Sequence, residues 1–280
     1  MPEGDTIHRA ATMLHRALAG KTVTRFESVF PALLRIHADT PVTGRRIEGV
    51  SATGKHLVIR FGDDLVLRTH MRMNGSWHIY RPSERWHRRR DDMRIVIGTD
   101  DFVAVAFTVP VAEFHSERSL ARRLGTLGPD LLGADLDADE AVRRLRRHGE
   151  EAVGTVMIDQ RVMAGAGNIF RCETLFACGV DPFTPVRWLS DAQLHAIVAT
   201  ARRLLARHTV EGRAQGAMGA RVGAAGGAGL SVYGRAGAPC RACGTPIAYR
   251  KAGPTARSTY WCPRCQPASI IPAGERPAAR

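Results

Sequence analysis

Lysine is nearly missing from this chain of 280 residues: of its 40 basic residues only Lys21, Lys55 and Lys251 are lysine. Arginine serves wherever a fixed positive charge is enough, so a retained lysine marks a place where a compact or titratable charge is useful. Lys55, at a glycine turn, is singled out for that reason, whereas Lys21, beside Gly20 after a helix, reads as a surface residue. Long hydrophobic runs are missing too. No stretch is long enough to cross a bilayer, and the opening residues Pro2, Glu3 and Asp5 have no apolar leader character, which predicts a protein of the reducing cytosol with no membrane partner. Acidic residues are in deficit, 27 against 40 basic, for a formal charge of +13 and a pI near 10.5. That excess points to a polyanionic partner, nucleic acid first, and opposes self-association, so a monomer is expected. A bland alternative is a composition bias, since Ala, Gly and Arg are all heavy.

Cysteine is also scarce, but four of the six stand as Cys240-Arg-Ala-Cys243 and Cys262-Pro-Arg-Cys265, with eighteen residues between the pairs. Each knuckle turn aims two thiolates at one point, and four complete a closed tetrahedron, so the pattern reads as one structural Zn2+. Accidental pairs or disulfides are the alternative. A closed site has no open position for water, so chemistry is sought in what the metal would hold. Between the knuckles lie Tyr249, Arg250, Lys251, Arg257, Ser258 and Thr259, a basic, hydroxyl-rich segment suited to gripping an anion. Cys172 and Cys178 read as small core residues.

In chain order, residues 5–19 predict a helix with Asp5 as N-cap, an apolar face of Ile7, Ala10, Ala11, Leu14 and Leu18, and Gly20 as the stop. Pro2 and Glu3 are then pinned at the positive end of the helix dipole. Removal of Met1 leaves a secondary amine, which titrates about two units below lysine and qualifies as a nucleophile, with Glu3 as its acid and base. On local context alone the two residues simply begin a helix. From 22 to 107 the pattern has period two: 23–29, 47–50, 56–61, 65–69, 76–80, 93–98 and 102–107 predict short strands of a sandwich or barrel. Lys55 sits at a corner of this domain. Met73, in the turn 70–75, is either a core plug or a wedge that enters a base stack. Arg85 to Arg90, with Trp86 and His87, predicts a mobile solvated loop. Residues 108–135 read as a connection to a helical region with helices near 137–148, 151–159, 168–178 and 190–208, the last opened by a Ser190/Gln193 capping box. Ala164-Gly165-Ala166-Gly167-Asn168 is a glycine turn opening a helix, where backbone N–H groups and the Asn168 amide form an anion nest or merely a helix corner. Residues 212–229 predict a flexible loop.

Taken together, Met1-Pro2-Glu3-Gly4, Gly54-Lys55-His56-Leu57, Gly165-Ala-Gly-Asn168-Ile-Phe and Val232-Tyr-Gly-Arg leading into the knuckles closely resemble the formamidopyrimidine-DNA glycosylase and endonuclease VIII family, and most of all its endonuclease VIII-like branch in high-GC bacteria. The resemblance spans almost the whole chain in order. It implies an α+β multidomain fold: an N-terminal β-sandwich with a leading helix over 1–115, a connection over 116–135, a helix-two-turn-helix domain over 136–235, a zinc ribbon over 236–268 and a disordered tail over 269–280. It implies a bifunctional DNA glycosylase and AP lyase of base excision repair, nucleoid-associated in a bacterial cytoplasm, acting on damaged DNA, whether duplex, single-stranded or bubble. Pro2 would be the Schiff-base nucleophile, Glu3 the acid and base, Lys55 the lysine required for strand cleavage, and Asn168 and Arg257 the phosphate clamps, with Met73 as wedge. A nonenzymatic zinc-ribbon DNA binder, or an AP lyase without glycosylase activity, are the alternatives. Two departures from the family pattern stand out. Asp5-Thr6 replaces a glutamate at the sixth position, and the segment Thr108 to Phe114 after the strand ending at Phe107 shows no recognisable Arg-Arg-Phe-Gly loop, in which purine-specific members place the arginine and phenylalanine that support the orphaned base. Oxidised pyrimidines are therefore the expected substrates.

Overall fold

The computed structural model describes residues 2–211, 221–222 and 229–268. The flexible loop expected over 212–229 lies outside the described residues apart from 221–222 and 229, and the tail expected over 269–280 lies wholly outside them. Two compact units divide the chain: residues 1–136 with 205–226, and residues 137–204 with 227–280.

The first unit is a two-sheet sandwich. Its strands are β1 (Arg25–Ser28), β2 (Ile47–Thr53), β3 (His56–Phe61), β4 (Leu65–His70), β5 (Ser76–Tyr80), β6 (Met93–Gly98), β7 (Val103–Phe107), β8 (Val111–His115) and the short β9 (Arg221–Val222). One sheet has the order β2-β3-β4-β8 and the other β1-β6-β7-β5-β9, with every pairing antiparallel. Alternation sends Ile47, Leu57, Ile59, Phe61 and Leu67 from the first, and Phe26, Trp77, Ile79, Ile95 and Ile97 from the second, into one shared core. The helix α1 (Gly4–Leu18) adds Ile7, Ala10, Leu14 and Leu18 to that core, so burial of its apolar stripe fixes where the chain's start must lie.

Several local expectations are corrected. Asp5 does not cap α1; Glu3 holds the N-cap position, and Asp5 turns inward to an ion pair with Arg9 at 3.3 Å one turn later. Residues 108–135 are not a plain connection: Thr108 to Pro110 is a tight turn into β8, which pairs with β4, and α3 (Glu117–Leu124) follows. A further helix, α2 (Pro31–Asp39), interrupts the strands with only Leu33 buried. Residues 85–90 are solvated as expected, with Arg85 and residues 87–90 exposed, but Trp86 anchors the segment, packing edge-on against Phe107 at 5.7 Å and beside Tyr80 at 6.3 Å.

The second unit holds α4 (Ala138–Arg146), the single turn α5 (Val153–Val156), α6 (Asn168–Ala177) and α7 (Asp191–Glu211), whose residues from Leu205 onward belong to the first unit. A hairpin of β10 (Ala248–Ala252) and β11 (Arg257–Trp261) follows, flanked by the cysteine knuckles. It docks on the helices through Cys172, Val232 and Ile247, through Phe183 against Trp261 at 4.9 Å, and through Gln266, whose amide donates to the Val180 carbonyl at 2.8 Å. Cys172 is buried in this contact, which pushes its thiol pKa up; Cys178 is only half-buried.

Candidate active site

The residues singled out in the sequence fall into two groups, one in each unit. In the first unit, Pro2 and Glu3 are both buried at the start of α1, Glu3 only 1% exposed. The Glu3 carbonyl accepts from Ile7 N at 3.1 Å, while its carboxylate makes no capping bond to the helix. The first turn is fixed instead by Asp5, Thr6 and Arg9: Thr6 donates to Asp5 at 3.2 Å, and Arg9 donates to Thr6 at 3.4 Å and to the His208 carbonyl. The Asp5-Thr6 departure therefore has a visible use, since the carboxylate at position 5 is committed to holding this turn.

Lys55 lies in the two-residue turn that joins β2 to β3, where Thr53 pairs with His56. Gly54 takes a positive φ of 55° there, a conformation costly to any residue with a Cβ. Its N–H donates to Asp130 at 2.7 Å, so a side chain 76 positions away holds the turn that presents Lys55. Behind Lys55 a row of polar groups is locked in place. Arg68, almost fully buried, donates to His56 Nδ1 at 2.9 Å and to Glu113 at 2.6 Å, and Glu113 also meets His115 at 3.1 Å. An arginine only donates, so His56 Nδ1 must be the acceptor and its proton sits on Nε2. Burial, then the neighbouring His70 and Arg68, brings the His56 pKa down to about 3; burial, then Arg72 and Lys55, brings His70 down to about 4. Both rings are neutral at ordinary pH. The hydrogen bond from Arg68 holds Glu113 below the usual carboxylate range.

Met73 is 59% exposed at the tip of the turn between β4 and β5, which excludes the core-plug alternative. The turn is tight: a Cβ at Gly75 would stand 2.4 Å from the Met71 carbonyl oxygen. Thr108, itself at a φ of 49°, donates from its hydroxyl to the Asn74 carbonyl at 2.8 Å, tying the β7–β8 turn to the one that bears Met73.

In the second unit Asn168 is the first residue of α6, after the N-cap Gly167. The turn before it is buried and partly satisfied from within: Gly165 N donates to Gln160 Oε1 at 3.1 Å, and Gln160 donates to the Ile158 and Ala166 carbonyls, each at 2.9 Å. Asn168 spends one amide hydrogen on the Ser258 carbonyl at 2.8 Å, and its buried Oδ1 has no partner among the described residues. Arg171 bonds the same carbonyl at 3.0 Å and Thr259 at 2.8 Å. These contacts bring Asn168 and Arg257, the residue before Ser258, to one place, with Arg257 exposed at the start of β11. Glu173, which sequence reasoning missed, accepts from the backbone N–H groups of Ser231, Val232 and Tyr233 at 2.8, 2.9 and 2.9 Å. The Val232-Tyr-Gly-Arg motif is thereby the strap that leads into the ribbon.

The four knuckle sulfurs lie within 4.8 Å of one another, with Cys240–Cys265 and Cys243–Cys262 at 3.9 and 3.4 Å. A zinc tetrahedron with bonds of about 2.3 Å has edges of about 3.8 Å, so the donor set is close to the one that ion takes.

Residues 1–123 match the formamidopyrimidine-DNA glycosylase N-terminal domain and residues 127–218 the formamidopyrimidine-DNA glycosylase H2TH domain. This chain belongs to the formamidopyrimidine-DNA glycosylase and endonuclease VIII family. It is 38% identical over 285 aligned residues to a protein of Streptomyces coelicolor named probable endonuclease 8 2, covering 100% of this chain and 99% of that one. It is 36% identical to the DNA-(apurinic or apyrimidinic site) lyase Nei2 of Mycolicibacterium smegmatis, covering 96% of this chain and all of that one. Among solved structures, Lactococcus lactis Fpg in complex with abasic-site DNA superposes with a TM-score of 0.82 over 95% of this chain and all of that one, at 23% identity, which shows the shared fold.

Proposed function

We propose that this protein is a bifunctional DNA glycosylase and AP lyase of base excision repair that works from its N-terminal proline. The observation that carries the reading is the buried Pro2-Glu3 start of α1, where removal of Met1 would leave a secondary amine held in place by the core, in a chain aligned from end to end with endonuclease 8 relatives. In the proposed reaction the Pro2 nitrogen attacks the sugar C1′ of an extruded nucleotide. The bond from C1′ to the damaged base breaks, and Glu3 supplies the proton that opens the sugar ring, leaving an iminium on Pro2. Loss of a C2′ proton then expels the 3′ phosphate, and a second elimination expels the 5′ phosphate. Lys55 holds a phosphate and Asn168 and Arg257 grip those flanking the lesion, while Met73 fills the gap left by the flipped base. One zinc ion on Cys240, Cys243, Cys262 and Cys265 holds the hairpin that presents Arg257.

The short β7–β8 turn favours oxidised pyrimidines. It passes from Phe107 through Pro110 straight into β8, which leaves no loop to support the orphaned partner base. Single-stranded or bubble DNA needs little extrusion, so cleavage there should come within ~10-fold of duplex, equivalent to about 1.4 kcal/mol in the barrier. Single-turnover rates on thymine glycol, a hydantoin and 8-oxoguanine, in duplex and in single strands, test this. Failure to cut any of them, or an abasic site, contradicts the enzymatic reading; strong preference for 8-oxoguanine in duplex contradicts the substrate assignment.

A further inference from the structure

We infer that the outer face of the five-stranded sheet carries a second phosphate-binding site, built from residues other than Lys55 and Met73, which takes the backbone of a DNA strand. It is joined at one end to the Met73 turn through Thr108, which donates to the carbonyls of both Asp92 and Asn74. The inference rests on the reading that this protein works on DNA. Its first support is the path of the chain. Strands β5 and β6 flank β7; β5 ends at Tyr80 opposite Val103, and β6 begins at Met93 opposite Phe107. Residues 81–92 must therefore run back along β7. They do so over an outer apolar cluster of Tyr80, Val96, Val103, Val105 and Phe107. Trp86 plugs that cluster, and His87 N donates to the Tyr80 hydroxyl at 3.4 Å.

Pinning the segment gathers its arginines. A cavity of about 450 Å³ lies under it, lined by Arg85, Arg88, Arg89 and Arg90 with Trp86, and by Arg25 from β1. The size is that of a small-ligand pocket. Arg25 rises opposite Gly98, where a Cβ would stand 3.0 Å from the Arg25 Cβ, so the bare glycine lets Arg25 lie across the strand. Arg90 sits over the Trp86 ring at 5.8 Å and Arg88 over Phe107 at 6.0 Å, so aromatic faces orient both guanidiniums.

Charge bookkeeping defines the ligand. Arg25 pairs with Glu27, Arg88 with Asp92 and Arg89 with Asp91, each with its arginine exposed, where such pairs are weak and an incoming anion competes. Arg85 and Arg90 have no carboxylate partner among the described residues, and Glu84 is the one acidic residue in the lining. Five guanidiniums around one hollow favour an anion with oxygens in a plane or fan, for which the arginine fork is better matched than an ammonium. Trp86 is the one apolar side chain in the lining, which gives an acidic peptide little to anchor a side chain against. Phosphodiester oxygens fit.

The test is the salt dependence of binding to lesion-free single-stranded DNA. Each phosphate contact contributes about 0.7 to the slope of log affinity against log salt, so Arg85→Ala/Arg90→Ala should lower the slope by about 1.4 and weaken binding about tenfold near 0.1 M salt. Arg16→Ala/Arg35→Ala, which removes two exposed charges elsewhere on the same unit, should change both much less. Melting temperatures confirm that each variant folds, and amide exchange of residues 84–90 should slow when DNA is added to the wild type. An unchanged slope, an equal effect of the two pairs, or capture of polyglutamate by these arginines with DNA binding unaffected would each overturn the site. Wild-type cleavage of a lesion duplex is measured alongside. If the enzymatic reading fails, cleavage is absent while DNA binding and its dependence on Arg85 and Arg90 remain.

Discussion

Among the described residues, three α-helices begin with a side-chain cap and four without one. In α3, α4 and α7 a side chain closes the first turn: Ser116 accepts from Ser119 N, Asp137 accepts from Glu140 N, and Ser190 and Gln193 accept from each other's backbone at 3.2 and 2.8 Å. In α1 and α6 none does, although Glu3 and Gly167 occupy the capping position. Of the others, α2 starts with Pro31, which has one donor fewer to satisfy, and α5 is a single turn. A good cap stabilises a helix by about 1 kcal/mol, and it is forgone at the two starts that carry Pro2, Glu3 and Asn168. Under the proposed mechanism the polar side chains there serve the reaction instead, a departure from local optimality of the kind a working site shows.

Substitutions at the two kinds of start should separate activity from stability. The largest effect is expected at Glu3. Because Glu3→Gln removes no cap, its melting temperature should stay near wild type while base excision falls by about 10² to 10⁴, the range for loss of a general acid or base. A variant that melted early and kept its activity would end the comparison. Next comes the strap: Glu173→Ala orphans three backbone N–H groups and should cost about 3 kcal/mol or more in denaturant unfolding. Loss of metal belongs to the same class. Cys243→Ala should lose zinc and ribbon order and weaken DNA binding, whereas Arg257→Ala should keep both metal and fold while binding and cleavage weaken; normal cleavage by the Arg257 variant would mean that the hairpin presents something else.

A smaller effect is expected from pH. His56 and His70 hold folded pKa values of about 3 and about 4, against 6.5 for a free imidazole. Below 6.5 the unfolded chain takes up protons that the folded chain refuses. Stability is thus full above about pH 6.5 and is lost as pH falls through that value toward the folded pKa values. The melting temperature should drop over this window, and less so for His70→Gln; a flat profile would mean that these rings are solvated. The smallest change is expected at a capped start, where Ser116→Ala should cost about 1 kcal/mol and leave cleavage untouched.

How much of this was legible in the sequence depended on where each residue's partner lies. The strands between 22 and 107 were legible, because alternation and turn glycines are local; their bounds shift by up to three residues, β2 running on to Thr53. Helices α2 and α3 were not, since each buries a single leucine, Leu33 and Leu120, and so shows no apolar face. Strand β8 was hidden behind Pro110, where a connection was the simpler reading. The knuckle cysteines and the Ser190/Gln193 box were read from spacing alone, and Pro2, Glu3 and Lys55 from short motifs. Asp130, Arg68 and Glu173 left no such trace. Their partners are the Gly54 amide, a histidine and a carboxylate on neighbouring strands, and the amides of 231–233, all distant in sequence.

The central claim is that the amine of Pro2, and not the scarce Lys55, forms the covalent bond to DNA. Borohydride reduction of the protein on abasic-site DNA, followed by peptide mapping, tests it most directly. The account predicts a trapped complex whose adduct lies on the N-terminal peptide at Pro2, and no trapping when the terminus is extended by further residues. An adduct confined to Lys55, or trapping undiminished by a blocked terminus, would contradict it.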